Sequence, residues 1–480
     1  MTAVPPRKSI SKIKDAVSYY EHQIIGVRRM LRMRSCLLAD DMGLGKSLQA
    51  LTVAAVALHT KEASKILVVV PASLKGNWQD ELDIYGDGYT GTILDGTPTQ
   101  RSKQLAAFAT DVLIVNYEQV VSHLDELNAM RFDIGIYDEA HYLKSRRSKR
   151  TKACFKINAP RSFLLTGSPI LNQVDDLWAL LHMVAPGDWP NYWTFINRYA
   201  VFGGYADKQV VGIKNEAELR QRLQTYMIRR EKHECLDLPE KQIIQVKLPL
   251  SPEQRALYDQ AHDELVIANP NDSSVMELEN GLTKLLRLKQ ICGTTATMPG
   301  HPDHSAKLDR AVEMCDEMVR SGNPVVVFTQ FREVLRCMER RLDAVGIKHV
   351  ALHGDVKIAD RQGVVKAWGA AAAAGDPQVI LCMWQVAGVG LNMTAASVCI
   401  ALDKLYVPKL NDQGYDRLHR IGQKENVQVY ELLMRGTVET RIEQILKQKK
   451  GIFGAVIDAD NSDWKKKLIQ AFIDGEDKDE

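Results

Sequence analysis

Residues 36–47 read CLLADDMGLGKS, a short apolar run that leads into a glycine-containing turn and then into a helical stretch. Glycines in such a turn let backbone N–H groups close on phosphate oxygens, and the start of the following helix adds a favourable dipole. Lys46 is placed to reach the β- and γ-phosphates of a nucleotide, and Ser47 is placed to bind Mg²⁺. A strict phosphate loop has glycine where Asp40 stands, so an ordinary strand-to-helix turn remains an alternative on this segment alone.

An acidic motif further along the chain favours the phosphate loop over the ordinary turn. Residues 134–141 read IGIYDEAH, an apolar run that ends in Asp138 and Glu139. A carboxylate at the carboxyl end of a strand can hold Mg²⁺ beside a phosphate loop, and its neighbour can polarise the attacking water. We therefore expect a nucleotide site in which Lys46, Asp138 and Glu139 are catalytic and Ser47 and Asp138 bind Mg²⁺. The expected nucleotide-binding residues of the loop are Asp41, Met42, Gly43, Leu44, Gly45, Lys46 and Ser47.

Short apolar runs extend this strand-and-helix pattern outward in both directions. They cover residues 36–39, 66–70, 112–115, 134–137 and 163–165, and then residues 325–328, 379–383, 398–402 and 427–430. Continuous apolar strands with helical crossovers are typical of a parallel sheet that is covered on both faces. Between roughly residues 175 and 308 the pattern is mainly helical. The sequence predicts an α/β protein with two doubly wound parallel sheets and a helical block between them.

The composition limits the class of protein. The chain has 480 residues, of which 45% are hydrophobic, which is long enough for two or three domains. Its net charge of +2 means that any grip on nucleic acid must come from a local cleft. The eight cysteines form no C-x-x-C pair, which favours reduced thiols over disulfides or a zinc site. No apolar run is long enough for a bilayer, so we expect no membrane partner and a cytoplasmic protein of bacterial, archaeal or phage origin, or a nuclear one if eukaryotic.

Further motifs surround the two described above. They lie at residues 20–27, 70–78, 116–118 and 165–178, and further along the chain at residues 228–230, 238–241, 327–331, 353–361, 388–392 and 413–423. Together they resemble the Swi/Snf (Snf-family) DNA-dependent ATPases of helicase superfamily two, over nearly the whole chain. The ending HRIGQ at residues 419–423 is the most specific match. Ala387 and the stretch from Tyr406 to Pro408 depart from the family pattern, and the compact spacer at residues 192–219 resembles the annealing-helicase-like subgroup.

The resemblance implies two RecA-like lobes of the P-loop NTPase type with helical protrusions inserted between them. Lobe 1 would cover residues 1–184, the first protrusion and inter-lobe linker 185–245, the second protrusion 246–306, lobe 2 residues 307–450 and a C-terminal tail 451–480. The nucleotide would be ATP, Gln23 would read its adenine, and Gly390 would also bind it. Family motors usually work as monomers, so we expect a monomer.

The resemblance also implies how hydrolysis is coupled to movement. Arg417 and Arg420 would stabilise charge on the γ-phosphoryl group once the lobes close, because a guanidinium carries a planar and permanent charge. The alternative is that both arginines lie on the polar face of an amphipathic helix. The expected coupling residues are Thr166, Ser168 and Gln413.

Contacts to DNA should be mainly to phosphates, because a motor that walks on any sequence must avoid reading bases. The candidates are Lys75, Asn116, Asn172, Thr329, Gln330 and Asn392. A basic run at residues 144–152 either holds phosphates of DNA or RNA or is a solvated helix face, and the sequence favours neither. The aromatic residues between 192 and 205 are expected to pack a protrusion more readily than to stack on bases.

Three functions are compatible with these motifs. The leading hypothesis is a DNA-dependent ATPase that translocates on double-stranded DNA and remodels protein–DNA complexes or re-anneals strands. A strand-separating DNA helicase is the second, since one short loop would suffice as a wedge. A nucleotide-gated DNA-binding scaffold with little turnover is the third, and the complete set of Lys46, Asp138, Glu139, Arg417 and Arg420 argues against it.

Overall fold

The computed structural model describes residues 19–443, except residues 87, 168–173, 204–208, 237, 268–274, 388–390 and 407. Three predicted site residues, Ser168, Asn172 and Gly390, and the predicted C-terminal tail therefore lie outside the described residues. The chain divides into two compact units, and the boundary falls between Asp237 and Leu238.

Unit 1 is built on a parallel sheet of seven strands. Its strands are β1 (Cys36–Leu38), β2 (Ile66–Val70), β3 (Gly91–Ile93), β4 (Val112–Asn116), β5 (Ile134–Tyr137), β6 (Arg161–Leu165) and β9 (Met227–Ile228), and a separate antiparallel pair consists of β7 (Ala200–Gly203) and β8 (Gln209–Ile213). Its helices are α1 (Glu21–Arg32), α2 (Lys46–His59), α3 (Lys75–Tyr85), α4 (Pro98–Ala106), α5 (Tyr117–Ser122), α6 (Leu124–Ala129), α7 (Lys149–Cys154), α8 (Val174–Val184), α9 (Tyr192–Tyr199), α10 (Glu216–Leu223) and α11 (Lys232–Cys235). The strand order is β3-β4-β2-β5-β6-β1-β9.

Unit 2 contains a second parallel sheet, with the order β10-β15-β14-β11-β13-β12. Its strands are β10 (Lys241–Leu248), β11 (Val325–Thr329), β12 (His349–Leu352), β13 (Val379–Met383), β14 (Val398–Ala401) and β15 (Val427–Met434). Its helices are α12 (Pro252–Ile267), α13 (Val275–Gly293), α14 (Ala306–Arg320), α15 (Arg332–Ala344), α16 (Ile358–Ala373), α17 (Trp384–Ala387) and α18 (Pro408–Tyr415).

The sheet of unit 2 is buried on both faces, as its apolar strands predict. Successive strand residues point to opposite faces, so Val325 and Val327 pack in the cluster that includes Leu335 of α15, whereas Val326 packs with Trp368 of α16. The side chains of all five residues are almost fully buried. The prediction of two parallel-sheet α/β units is therefore confirmed.

A buried ion pair lies beside this core. The ammonium of Lys307 is fully buried and donates hydrogen bonds to both carboxylate oxygens of Glu439, at 2.7 and 2.8 Å, and to the Leu402 carbonyl at 2.8 Å. Since a buried charge is tolerated only when it is paired, Glu439 and Lys307 depend on each other. This pair connects the start of α14 to the segment that follows β15, and the hydrogen bond to Leu402 adds the end of β14.

The prediction of a mainly helical stretch from roughly residue 175 to 308 is wrong for part of its length. Strands β7, β8 and β9 and the eight-residue strand β10 all lie in it. β10 reads KQIIQVKL and pairs with β15 at the edge of the sheet. An edge strand is half-exposed and can carry lysine and glutamine, so it lacks the continuous apolar run that predicts the central strands.

Candidate functional site

The strand order of unit 1 brings the predicted motifs to one edge of its sheet. β5, β6, β1 and β9 are consecutive neighbours and all parallel, so the loops that follow them meet at the carboxyl edge. These loops begin at Asp138, Thr166, Ala39 and Arg229. Ligands of open parallel sheets bind at this edge, which makes it the candidate active site.

The loop between β1 and α2 has the backbone that phosphate binding requires. Gly43 and Gly45 have φ values of 86° and 73°, a left-handed conformation that glycine adopts without steric cost. Gly45 is the N-cap of α2, so the helix begins at Lys46 with its first N–H groups facing the loop. The Lys46 ammonium donates to the carbonyls of Asp40 at 2.8 Å and Asp41 at 3.1 Å.

Lys46 is the central cation of this edge. Burial lowers the pKa of Lys46, and the carboxylates of Glu139, Asp40, Asp138 and Asp41 act in the opposite direction. Because anionic groups surround the ammonium, its charge is held at the position where a triphosphate would need it. The residues of the two motifs therefore interact electrostatically, as the sequence predicts.

Asp138 lies at the end of β5 with both carboxylate oxygens engaged. Oδ2 accepts a hydrogen bond from the indole N–H of Trp78 at 2.8 Å, and Oδ1 accepts one from the backbone N–H of Glu139, also at 2.8 Å. Burial and the neighbouring Glu139 raise the pKa of Asp138 to about 6. Trp78 orients this carboxylate from a helix that is 60 residues away in sequence, a contact that the motif pattern did not reveal.

Glu139 adopts a backbone conformation that is uncommon for a residue with a side chain. Its φ is 47°, in the left-handed region. Such positions cost on the order of 1–3 kcal/mol and cluster at active sites. Nδ1 of His141 lies 3.0 Å from Oε2 of Glu139, and the backbone carbonyl of Asp138 accepts a hydrogen bond from Tyr117 at 2.6 Å. The surrounding contacts therefore hold the Asp–Glu turn in its strained form.

The loop after β6 packs directly on the phosphate loop. Thr166 is fully buried, and its backbone N–H donates to the Leu38 carbonyl at 3.0 Å. A Cβ atom on Gly167 would lie 2.6 Å from Cγ of Met42, so a larger residue there would require the Met42 side chain to move. This position beside the loop is compatible with the predicted coupling role of Thr166.

Helix α1 supports the loop from the other side. Nε2 of Gln23 donates to the Leu44 carbonyl at 3.3 Å, and the His22 ring lies 3.1 Å from the same oxygen. Burial lowers the pKa of His22, which favours the neutral ring. Gln23 is therefore beside the loop, and its adenine contact remains a prediction.

In unit 2 the two candidate arginines lie in turns after α18, which ends at Tyr415. The alternative of an amphipathic helix face is therefore wrong, because residues 416–420 form turns and bends rather than a continuation of α18. Arg417 and Gln413 are both buried, and the Arg417 carbonyl accepts from the Met393 N–H at 3.0 Å. The Gln423 amide ties the next turn to the Ala396 carbonyl at 2.8 Å. These hydrogen bonds hold the backbone of the turns that carry Arg417 and Arg420.

The sequence of the chain matches two protein families. Residues 22–297 match the SNF2-related domain, and residues 306–422 match the helicase conserved C-terminal domain. The chain belongs to the SNF2-related family. The resemblance drawn from the motifs is thereby confirmed, and the two parallel-sheet units are the RecA-like lobes of this family.

Several known proteins are similar to this SNF2-related chain. An uncharacterized ATP-dependent helicase of Mycoplasma genitalium is 29% identical over 86% of this chain and 39% of its own length. The nuclear protein STH1/NPS1 of Saccharomyces cerevisiae is 29% identical over 93% of this chain and 35% of its own length. The SWI2/SNF2 ATPase core of Sulfolobus solfataricus, solved in complex with dsDNA, is 28% identical over 95% of this chain and 96% of that chain, with a TM-score of 0.45. The chain thus spans less than half of the length of these two curated relatives.

The prediction of an ATP hydrolase with helicase-like domains is confirmed at the level of the family. Among the described residues, no helix is long and apolar enough to cross a membrane.

The predicted DNA contacts of the SNF2-related chain have varied surroundings, and their role remains a prediction. Lys75 is buried and donates to the Leu94 carbonyl at 2.9 Å. Asn116 caps α5 by accepting from the Gln119 N–H at 2.8 Å. In unit 2 the Thr329 hydroxyl donates to Asp403, while Asn392 is exposed. Asn116 and Asn392 are the more accessible of these four, because Lys75 and Thr329 are almost fully buried.

The basic run after Asp138 and Glu139 divides into stacked and exposed cations. The guanidinium of Arg146 lies 4.0 Å from the ring centre of Tyr192, and that of Arg150 lies 5.3 Å from the ring centre of Tyr142. Arg147, Lys149 and Lys152 are exposed, and none of the three forms a hydrogen bond or ion pair with its side chain in the described part of the chain.

Replacing Glu139 by glutamine (E139Q) tests the assignment of the catalytic base. The amide keeps the size of the side chain but cannot take a proton from water, so kcat should fall at least about 100-fold. ATP affinity should change little, because the loop and Lys46 remain. Steady-state hydrolysis and equilibrium binding of fluorescent ATP measure the two quantities. The matched control is E62Q, an exposed carboxylate paired with Arg161, and turnover that survives in E139Q would show that Glu139 is not the base.

Proposed function

We propose that this SNF2-related chain is a DNA-dependent ATPase that translocates on double-stranded DNA. The observation that supports it most is the meeting of Lys46, Asp138 and Glu139 at the carboxyl edge of one parallel sheet. The family gives the reaction class, and Arg417 and Arg420, in the turns after α18 of unit 2, are the arginines proposed to supply the further charges that phosphoryl transfer requires.

The chain's own residues account for the steps of hydrolysis. N–H groups at the start of α2 and the Lys46 ammonium would bind the β- and γ-phosphates. Glu139 would orient and deprotonate the attacking water, and Arg417 and Arg420 would stabilise charge on the γ-phosphoryl oxygens. Gln23 would contact adenine from α1.

A magnesium ion fits the donors at this edge. The Asp138 carboxylate and the Ser47 hydroxyl are hard oxygen donors of the kind that Mg²⁺ prefers. The raised pKa of Asp138 fits as well, because a cation beside a buried carboxylate restores its ionised form. When bound, the ion would neutralise charge that develops on the phosphates.

Duplex DNA is the proposed track, and its phosphates are the proposed contacts. The exposed cations Arg147, Lys149 and Lys152 lie on or just before α7, which packs against α5 beside Asn116. Arg150 lies 3.9 Å from Glu118, which confirms that the two helices adjoin. A surface of unpaired cations next to a predicted phosphate contact favours the nucleic-acid interpretation of the basic run.

The dependence of ATP hydrolysis on nucleic acid tests the proposed function. Steady-state rates are measured without nucleic acid and with duplex DNA, single-stranded DNA, forked DNA and RNA. Duplex DNA should stimulate the rate most. Stimulation mainly by single strands would favour a strand-separating helicase, and ATP binding without turnover under every condition would favour the nucleotide-gated scaffold.

The salt dependence of DNA binding tests the basic surface. In the triple variant R147Q/K149Q/K152Q, the slope of log affinity against log salt should become shallower by about 2–3, because each lost phosphate contact removes roughly 0.9. The control R220Q/R310Q/R320Q makes the same change in net charge on α10 and α14, and its slope should stay within about 1 of the parent slope. Equal slopes in the two triple variants would exclude the surface as a phosphate contact.

A further inference from the structure

The departure from the strict phosphate-loop pattern at Asp40 has a structural counterpart in Arg230. Asp40 is fully buried, and its carboxylate accepts hydrogen bonds from Nε of Arg230 at 2.9 Å and from Nη2 of the same guanidinium. Gln49 of α2 donates to the carboxylate at 3.2 Å and accepts from Arg230 at 2.9 Å. The second terminal nitrogen of Arg230 donates to the His22 carbonyl of α1. One guanidinium therefore connects the phosphate loop, α1 and α2.

Arg230 belongs to a short stretch that follows the edge strand β9, and we call residues 229–232 the exit segment because the boundary of unit 1 comes soon after it. This segment runs alongside the phosphate loop. The Arg229 guanidinium donates to the Ala39 carbonyl at 3.1 Å, and the Asp41 N–H donates to the Arg230 carbonyl at 3.0 Å. The Lys232 N–H in turn donates to the Asp41 carboxylate at 3.2 Å. The first residues of the loop are thus paired with the exit segment residue by residue.

Helix α1 makes room for this arrangement. A Cβ atom on Gly26 would lie 2.7 Å from Nη2 of Arg230 and closer still to the Gln49 amide oxygen. Both atoms are the ends of flexible side chains, so an alanine would displace them without moving the backbone. Glycine is otherwise unfavourable inside a helix, and its presence in the middle of α1 is explained by the space that Arg230 and Gln49 occupy.

A buried ion pair of this kind contributes little net stability, because desolvation offsets the attraction, but it fixes geometry. Here the fixed elements are the two walls of the nucleotide site. α1 carries Gln23 and His22, which contact Leu44 of the loop, and α2 begins at Lys46. Without the Arg230 guanidinium, the phosphate loop, α1 and α2 would lose the side chain that contacts all three. A smaller fraction of molecules would then have the conformation that binds a triphosphate.

We propose that Arg230 is a positioning residue for the nucleotide: through Asp40 and Gln49 it holds the phosphate loop and α1 in the conformation that binds ATP. This inference rests on the proposed function of the site. Because coupling between sites is reciprocal, a bound nucleotide also holds the exit segment in place. The segment by which the chain leaves unit 1 therefore responds to the nucleotide.

The test uses the full chain and compares four variants with the parent. D40N/R230M removes both charges together, so no single buried charge is left without a partner. R230K keeps the charge but loses the planar fork, and G26A displaces the two side chains while retaining them. D133N is the control: Asp133 accepts hydrogen bonds from Ser64 and Lys65 at the opposite end of the sheet, away from the nucleotide.

Three quantities are measured: the Kd of ATPγS, the kcat and KM of ATP hydrolysis, and the melting temperature. D40N/R230M and G26A should raise Kd and KM about tenfold or more, with R230K in between, while kcat at saturating ATP stays within about threefold, because loss of a binding-competent population lowers apparent affinity first. D133N should lower the melting temperature and leave Kd unchanged. Amide exchange of residues 229–236 should slow on ATPγS binding in the parent and not in D40N/R230M.

Parent-like ATPγS affinity in a folded G26A or D40N/R230M overturns the inference while leaving the proposed function intact. If D40N/R230M does not fold, the ATPγS affinities of G26A and R230K test the inference, since both variants retain the positive charge at position 230. A parent chain that binds no ATPγS would overturn the proposed function and the inference together. A higher Kd in D133N as well would show that the effect follows general destabilisation, which also contradicts the specific role of Arg230.

Discussion

Parallel pairing of every strand in the two sheets is the constraint on which the rest of the molecule depends. It brings each loop that follows a strand to the same edge, whatever the distance between the loops in sequence. In unit 1, β1 lies between β6 and β9, so the phosphate loop has a neighbouring loop on each side. Gly167 approaches it from one side and the exit segment from the other. The strand topology alone therefore brings these loops, and the functional residues on them, close together.

Because the loops meet at one edge, several carboxylates lie close together, and neighbouring side chains compensate their negative charge. Asp138, Glu139, Asp40 and Asp41 meet at one edge, and Lys46 supplies positive charge at their centre. Arg230 neutralises Asp40, and Trp78 and a backbone N–H satisfy Asp138. A site arranged in this way has its donors and charges fixed before substrate arrives, which is the usual source of catalytic stabilisation.

Much of this arrangement could be predicted from the sequence. β1, β2, β4 and β5 are central strands with continuous apolar runs, and the motif residues that follow β1 and β5 lie where the runs end. The predictions failed where the signal is weak. β10 is an edge strand with alternating polar residues, β3 has three residues and no fully buried position, and the antiparallel pair β7 and β8 lies in a stretch without clear periodicity.

Long-range side-chain contacts could not be predicted at all. Nothing in the motif around Trp78 indicates that its indole holds Asp138, and Arg230 looked only like part of a connecting segment. Asp40 departs from the phosphate-loop pattern, but its partner is 190 residues away in the chain. Such pairs depend on which strands become neighbours, and a local pattern of residues does not contain that information.

If ATP hydrolysis at the edge of the first sheet moves the chain along duplex DNA, as proposed, the chain should displace a third strand from a DNA triplex. The third strand lies in the major groove of the duplex, so a protein that moves along the duplex removes it without separating the duplex strands. Release is expected with ATP and not with ATPγS. DNA-stimulated hydrolysis without any release of the third strand would contradict movement along the duplex, because the energy of hydrolysis would then not be coupled to movement.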